Sequence, residues 1–248
     1  IKLHTWMPPV RFAPDPGMDI KACTAVRAAV GPDIALMLDG YHEYSRTDAL
    51  RIGRALEELD FTWYEEMMNE QSIASYAWLA NQLRIPILGP ETASGKHHTR
   101  ADWVAAGACD ILRAGVTGTG GIGPTMKVAN LAESFGMECE VHGNGAANLA
   151  VCGAIRNSRW YERGLLHPHL DYDEVPAYLN RLIDPMDDEG FVHLPAVRHL
   201  EDLEVGHALG QRRAGAGRGD TTWHRSGARR ACEAGRVSAA HEAEAWLG

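Results

Sequence analysis

The chain has no CxxC pair and no dense cysteine framework. Its five cysteines, Cys23, Cys109, Cys139, Cys152 and Cys232, are scattered, which suits buried thiols in a reducing cytosol and a cytoplasmic location. Apolar runs long enough to span a bilayer are also missing, so no membrane segment is expected. Basic residues are outnumbered 24 to 33, for a net charge of −9. That balance argues against general nucleic-acid binding, which needs clustered Lys and Arg to neutralise phosphates, and leaves small molecules as the expected partners. There is neither an initiator Met nor a signal peptide, and the chain reads as a piece cut at its front, starting on a strand at Ile1.

What is present is a rhythm. Over 248 residues, 45% of them hydrophobic, short apolar runs alternate with amphipathic stretches of helical length, the pattern of βα units around a parallel sheet. Strands are predicted over 1–4, 34–39, 61–65, 85–88, 110–116, 137–142 and 160–162. Helices are predicted over 47–59, 73–83, 100–106, 124–135 and 146–157, where apolar residues recur every third or fourth place. The fold class is therefore α/β, a (β/α) barrel of the TIM type with seven of eight strands. After about residue 165 the rhythm gives way to a Pro- and Asp-rich meander. From Gln211 the chain turns rich in Arg, Gly and Ala, with seven Arg against four acids. A segment of that composition is expected to be poorly ordered.

Asp39 closes the run IALMLD, Glu65 closes FTWYE, and Glu91 follows PILGP, at intervals of 26 and 26 residues. One βα unit occupies about that length, so the three acids are expected side by side at the C-terminal mouth of the barrel, where such folds carry their sites. Three converging carboxylates repel one another, and a hard, oxygen-preferring divalent ion such as Mg²⁺ removes the conflict. Taken singly, each acid would pass for a helix cap or a solvated loop charge.

These segments, with GACDILRAGVTGTGGIG from Gly107, CEVHGN around His142 and WYER around Glu162, resemble the enolase superfamily, in particular its mandelate racemase-like branch of acid-sugar dehydratases and racemases. The likeness runs from Ile1 to roughly Leu194. It implies a barrel domain over 1–195, entered at its second strand, a capping domain ahead of it, and a divergent extension over 196–248, disordered after 211. It also implies Mg²⁺ on Asp39, Glu65 and Glu91 and removal of the proton next to a substrate carboxylate through a metal-stabilised enediolate. Dehydration of a sugar acid to a 2-keto-3-deoxy acid is the expected outcome; a racemase, epimerase or cycloisomerase, or a non-catalytic barrel that binds metal or acid sugar, are the alternatives. A homo-oligomer is expected at full length.

Residue by residue, the resemblance makes Glu162 the last-strand acid that stabilises the developing carboxylate charge, protonated or sharing a proton. It makes His142 the catalytic histidine. Lys2 and His4 fall where the branch often carries Lys-x-Lys, and strand alternation puts both on one inward face. His4 then becomes a general acid or base and Lys2 a partner for the substrate carboxylate. The pattern is broken at Gly115, which stands where an Asp usually orients the histidine. Arg113, two residues earlier on the same face, is the expected substrate-carboxylate ligand or the group that lowers the pKa of His142. His42, after Asp39, and Lys96, with His97 and His98, are further candidates near the mouth. Gly118-x-Gly120-x-x-Gly123 would also suit a dinucleotide loop, but nothing in that reading accounts for the evenly spaced acids.

Overall fold

Among the described residues of the computed structural model, six short strands form one parallel sheet in chain order: β1 (Lys2–His4), β2 (Met37–Asp39), β3 (Trp63–Glu65), β4 (Ile87–Gly89), β5 (Ile111–Ala114) and β6 (Glu138–Val141). Among the described residues seven helices lie between and after them: α1 (Pro16–Val30), α2 (Arg46–Glu58), α3 (Ile73–Ala80), α4 (Lys96–Ala105), α5 (Val116–Thr119), α6 (Ile122–Ser134) and α7 (Ala146–Ala154). The structure describes residues 1–4, 14–41, 44–164, 182–184, 187–188 and 192. All of them belong to one compact unit, Ile1–Val205. The expected domain boundary at 195, the Arg/Gly/Ala-rich tail and His42 lie outside the described residues. Among the described residues no helix is long and apolar enough to cross a membrane.

Every residue of β2 to β5 is buried, as parallel strands covered on both faces require. Period-two alternation then sorts the side chains into two cores. Leu38, Tyr64, Ile87 and Leu112 point outward into the large layer shared with the helices. Met37, Trp63, Leu88 and Ile111 point inward and pack on one another. Two residues further along, Asp39, Glu65 and Arg113 inherit the inward face.

The helices are fastened by local signals. Asp15 caps α1 by accepting the Met18 N–H at 3.0 Å, and Ser45 caps α2 by accepting the Asp48 N–H at 3.1 Å. In α2 the buried positions are Ala49, Ile52, Gly53 and Leu56, one stripe of a 3.6-residue period. Gly53 is required there, since a Cβ would stand 2.3 Å from Leu83 Cδ1.

The segment expected as a seventh strand, 160–162, makes a single parallel bridge, Val141 to Tyr161. The reason is a side chain. The carboxylate of Glu140, on the inner face of β6, accepts the N–H groups of Arg159 at 3.0 Å and Trp160 at 3.2 Å and the Ser158 hydroxyl at 3.1 Å. The Trp160 N–H, among these, is thereby taken by one buried acid instead of a strand carbonyl.

Candidate active site

Sheet register decides which groups meet. His4 pairs with Asp39, and Asp39 with Glu65, so these three form one row across the C-terminal ends of β1, β2 and β3. Glu65 pairs with Leu88; Glu91 therefore stands three residues further, on the loop after β4. Arg113 pairs with Glu140 across β5 and β6, and His142 follows β6 directly. Glu162 follows the bridge at Tyr161.

Cations lie between the acids. Lys2 Nζ is 2.5 Å from Glu65 Oε1, 3.3 Å from Asp39 Oδ2 and 3.2 Å from Glu162 Oε2. The Arg113 guanidinium is ion-paired with Glu162, lies 3.2 Å from Glu91 Oε2 and 3.7 Å from Glu65 Oε2. His142 Nδ1 is 2.8 Å from Glu91 Oε2 and 3.7 Å from Glu162 Oε1. His4 Nε2 is 3.8 Å from Asp39 Oδ1, its ring tilted against Tyr41 with centroids 5.2 Å apart. Apart from His97 and His98, nine of the ten side chains singled out from the sequence fall within the described residues, and eight of those nine join this network.

The ninth is Lys96, at the start of α4. It is exposed, and its stem lies along Gly120, where a Cβ would approach its Cε to 3.0 Å. His97 and His98 stack on each other with ring centroids 4.2 Å apart.

Burial and pairing pull the acids in opposite directions. Complete burial pushes the Glu65 carboxyl up to about 7, with Asp39 and Glu91 adding to the rise and Arg113 and Lys2 opposing it. Glu91 is held well below the ordinary range: burial works the other way, but the hydrogen bond from His142 and the charge of Arg113 outweigh it. Glu162 is likewise lowered, as Arg113 and Lys2 overcome its burial. The expectation of a protonated Glu162 therefore gives way to an ionised one, because two cations face it at contact distance.

A second expectation changes too. His142 does not lack a carboxylate partner, because Glu91 supplies one. Burial lowers its pKa, yet the hydrogen bond and charge of Glu91 carry the net shift upward, past the opposing effect of Arg113. Gly115 could not have served: a Cβ there would come within 2.9 Å of the His142 carbonyl oxygen.

The donor set suits a hard divalent cation such as Mg²⁺, being composed of carboxylate oxygens alone. Glu65 supplies the structural observation. It is wholly buried, and neither of its oxygens accepts a well-formed hydrogen bond, so its charge is met only by ion pairs. Among the described residues no three such side chains close around one point; Lys2 and Arg113 stand between them, and a metal ion would compete with these two cations. Beside the network opens a cavity of about 550 Å³. Lys2, His4, Arg113 and Glu162 give it a charged wall, and Met37 and Trp63 an apolar one.

Sequence reasoning missed three buried charges that shape this site: Glu140, Glu70 and Arg100. All three act on backbone groups, and a linear pattern carries no signal for that beyond a charge set among apolar neighbours.

Residues 1–197 match the family described as Enolase C-terminal domain-like. The D-glucarate dehydratase of Agrobacterium tumefaciens, crystallised in complex with magnesium, is 65% identical to the chain, with a TM-score of 0.76 over 78% of this chain and 50% of that protein. The D-galactarolactone cycloisomerase of Agrobacterium fabrum is 35% identical over 126 residues, 50% of this chain and 32% of the relative. The arabinonate dehydratase of Saccharolobus solfataricus is 34% identical over 155 residues, 59% of this chain and 40% of the relative. The chain thus spans half or less of the length of these proteins.

Proposed function

The chain belongs to the Enolase C-terminal domain-like family, and from that premise we propose that it carries the catalytic face of a Mg²⁺-dependent sugar-acid dehydratase, removing the proton next to a carboxylate and then the 3-hydroxyl as water. The observation that carries this reading is the fully buried carboxylate of Glu65 at the end of β3, met by cations on both oxygens and flanked by Asp39 and Glu91. The share of each relative that is matched makes the substrate a proposal as well. Aldaric and aldonic acids are the class named by the dehydratases above, and Lys2, His4, Arg113 and Glu162 meet on one wall of the cavity beside the network.

Asp39, Glu65 and Glu91 would hold the ion, which when bound neutralises their charge and draws electron density from the substrate carboxylate, making the neighbouring proton more acidic. The remaining work falls to side chains of the chain. His4, on the β1 side of the cavity, takes the α-proton. Lys2 and Arg113 face the carboxylate on which negative charge grows, and Glu162 keeps both cations in place. His142 has Nδ1 committed to Glu91, which leaves Nε2 to hand a proton to the departing hydroxyl. An imidazole whose pKa is raised is protonated over more of the neutral range, as an acid requires.

Incubating the chain with Mg²⁺ and a panel of aldonic and aldaric acids, with 2-keto-3-deoxy product measured, tests the reading. Turnover of at least one acid, lost on adding a chelator, is the expected result. A panel without turnover, with Mg²⁺ still bound, would assign the chain a binding role; lactone turnover without water loss would place it with the cycloisomerase relative.

A further inference from the structure

Two buried charged side chains have no part in the proton chemistry. Glu70 is 2% exposed and lies five residues beyond Glu65, on the loop after β3. One of its oxygens accepts the N–H of Glu91 at 2.8 Å. The other accepts the N–H of Thr92 at 2.5 Å, the N–H of Ala93 at 3.2 Å and the Thr92 hydroxyl at 2.8 Å. Arg100, 1% exposed on α4, takes the opposite side of the same segment. Its guanidinium donates to the carbonyls of Glu91 at 2.7 Å, Ala93 at 2.8 Å and Lys96 at 3.2 Å, and reaches the Arg113 carbonyl at 3.4 Å.

A loop at a barrel mouth can leave its backbone groups to water. Here three consecutive N–H groups are collected by one carboxylate, and the carbonyls of Glu91, Ala93, Lys96 and Arg113 by one guanidinium. Burying two charges costs several kcal/mol each unless they are fully hydrogen-bonded, so this arrangement is not the cheap way to end a strand. Glu70 is itself held. The Tyr76 hydroxyl donates to the Met68 carbonyl at 2.6 Å and accepts the Met68 N–H at 3.2 Å, which fixes the loop between Glu65 and Glu70. Gly89 lets the parts close up: a Cβ there would stand 3.1 Å from the Trp103 ring and 3.4 Å from Glu70 Oε1.

We propose that Glu70 and Arg100 are positioning residues that lock the Glu91 segment to the loop that follows Glu65, so that the two acids meet a cation as one pre-set pair. This rests on the reading of Glu65 and Glu91 as metal ligands. Removing groups that orient ligands from behind costs about 10–100-fold in metal affinity, and that is the quantity the clamp controls.

The test is titration of the 248-residue chain and its E70Q and T92V variants with Mg²⁺ by calorimetry, with far-ultraviolet circular dichroism reporting the fold. Glu70→Gln keeps the shape but turns a donor toward backbone N–H groups; its Kd for Mg²⁺ is expected to rise about tenfold or more. Thr92→Val removes the hydroxyl's hydrogen bond to the Glu70 carboxylate and is expected to raise Kd about two- to fivefold. An E70Q chain that folds and binds Mg²⁺ within about twofold of the parent overturns the proposal, since that is far below the expected loss. If E70Q does not fold, T92V decides, and unchanged affinity there overturns it. A parent chain without Mg²⁺ affinity, or a Glu91→Gln variant that binds as tightly as the parent, removes the metal site and the proposal with it. Those outcomes are distinct from a normal metal site that ignores Glu70.

Discussion

His142 Nδ1 stands 2.8 Å from Glu91 Oε2, so the imidazole after β6 is oriented by a carboxylate carried two strands away. In the proposed mechanism this pairing divides labour between the histidines. In a His142→Asn chain, water loss should fall by about 10²–10⁴, while exchange of the substrate α-proton with deuterated solvent continues. A His4→Asn chain should lose both. Proton NMR in D₂O reads exchange and a keto-acid assay reads dehydration; loss of exchange in the His142 variant would reverse the two roles.

Glu65 predicts a pH dependence of the metal-free chain. Its folded pKa of about 7 lies above the ordinary value of 4.5, so the folded chain binds that proton more tightly than the unfolded one. Its contribution to stability is full below 4.5 and declines as pH rises toward 7. In EDTA, Tm should fall by several degrees across this window, and Glu65→Gln should flatten the fall. Excess Mg²⁺, which favours the ionised carboxylate, should raise Tm most above pH 7. A Glu65→Gln chain with the parent's pH profile would refute the assignment.

Arg113 faces Glu65, Glu91 and Glu162 from a fully buried position. Arg113→Met keeps the bulk and removes the charge, leaving buried carboxylates against one another. The expected loss is about 3–5 kcal/mol in metal-free urea denaturation, and Mg²⁺ should restore part of it. A loss below about 1 kcal/mol would mean that the acids do not depend on this guanidinium.

Glu140 holds residues 158–160 through three hydrogen bonds, two residues short of Glu162. Glu140→Ala should cost about 2–4 kcal/mol, as expected for a buried acceptor of several bonds, and should loosen Glu162. Amide hydrogen exchange at Arg159 and Trp160 should quicken while that of β3 stays slow. Unchanged protection at 159 and 160 would contradict the anchoring role.

How much of this was legible depended on whether a feature is periodic. Strands β2, β3 and β4 show in the sequence because each is a short apolar run ending in a charged residue or glycine, and the 26-residue interval sets Asp39, Glu65 and Glu91 on adjacent units. Helix α1 was not foreseen, because the alanines of KACTAVRAAV blur its apolar stripe; its fastening by Arg27 onto the carbonyls of Leu59 and Asp60 is a contact over thirty residues. The partnership of His142 and Glu91 was hidden for the same reason. Fifty-one positions separate them, and only the curvature of the sheet brings them together. Glu70 and Arg100 carry no signal in the sequence, since their partners are mostly backbone atoms that every residue possesses.

The close approach at Gly115 limits where an acid can stand. Strands β5 and β6 are tied by four registered pairs, and the His142 N–H also reaches the Ala114 carbonyl at 2.7 Å, so the gap beside residue 115 is set by main-chain bonding. A side chain placed there would press its Cβ to 2.9 Å from the His142 carbonyl oxygen, so a carboxylate behind the histidine would require that main chain to give way. Glu91 approaches the ring from another loop and asks nothing of the ladder.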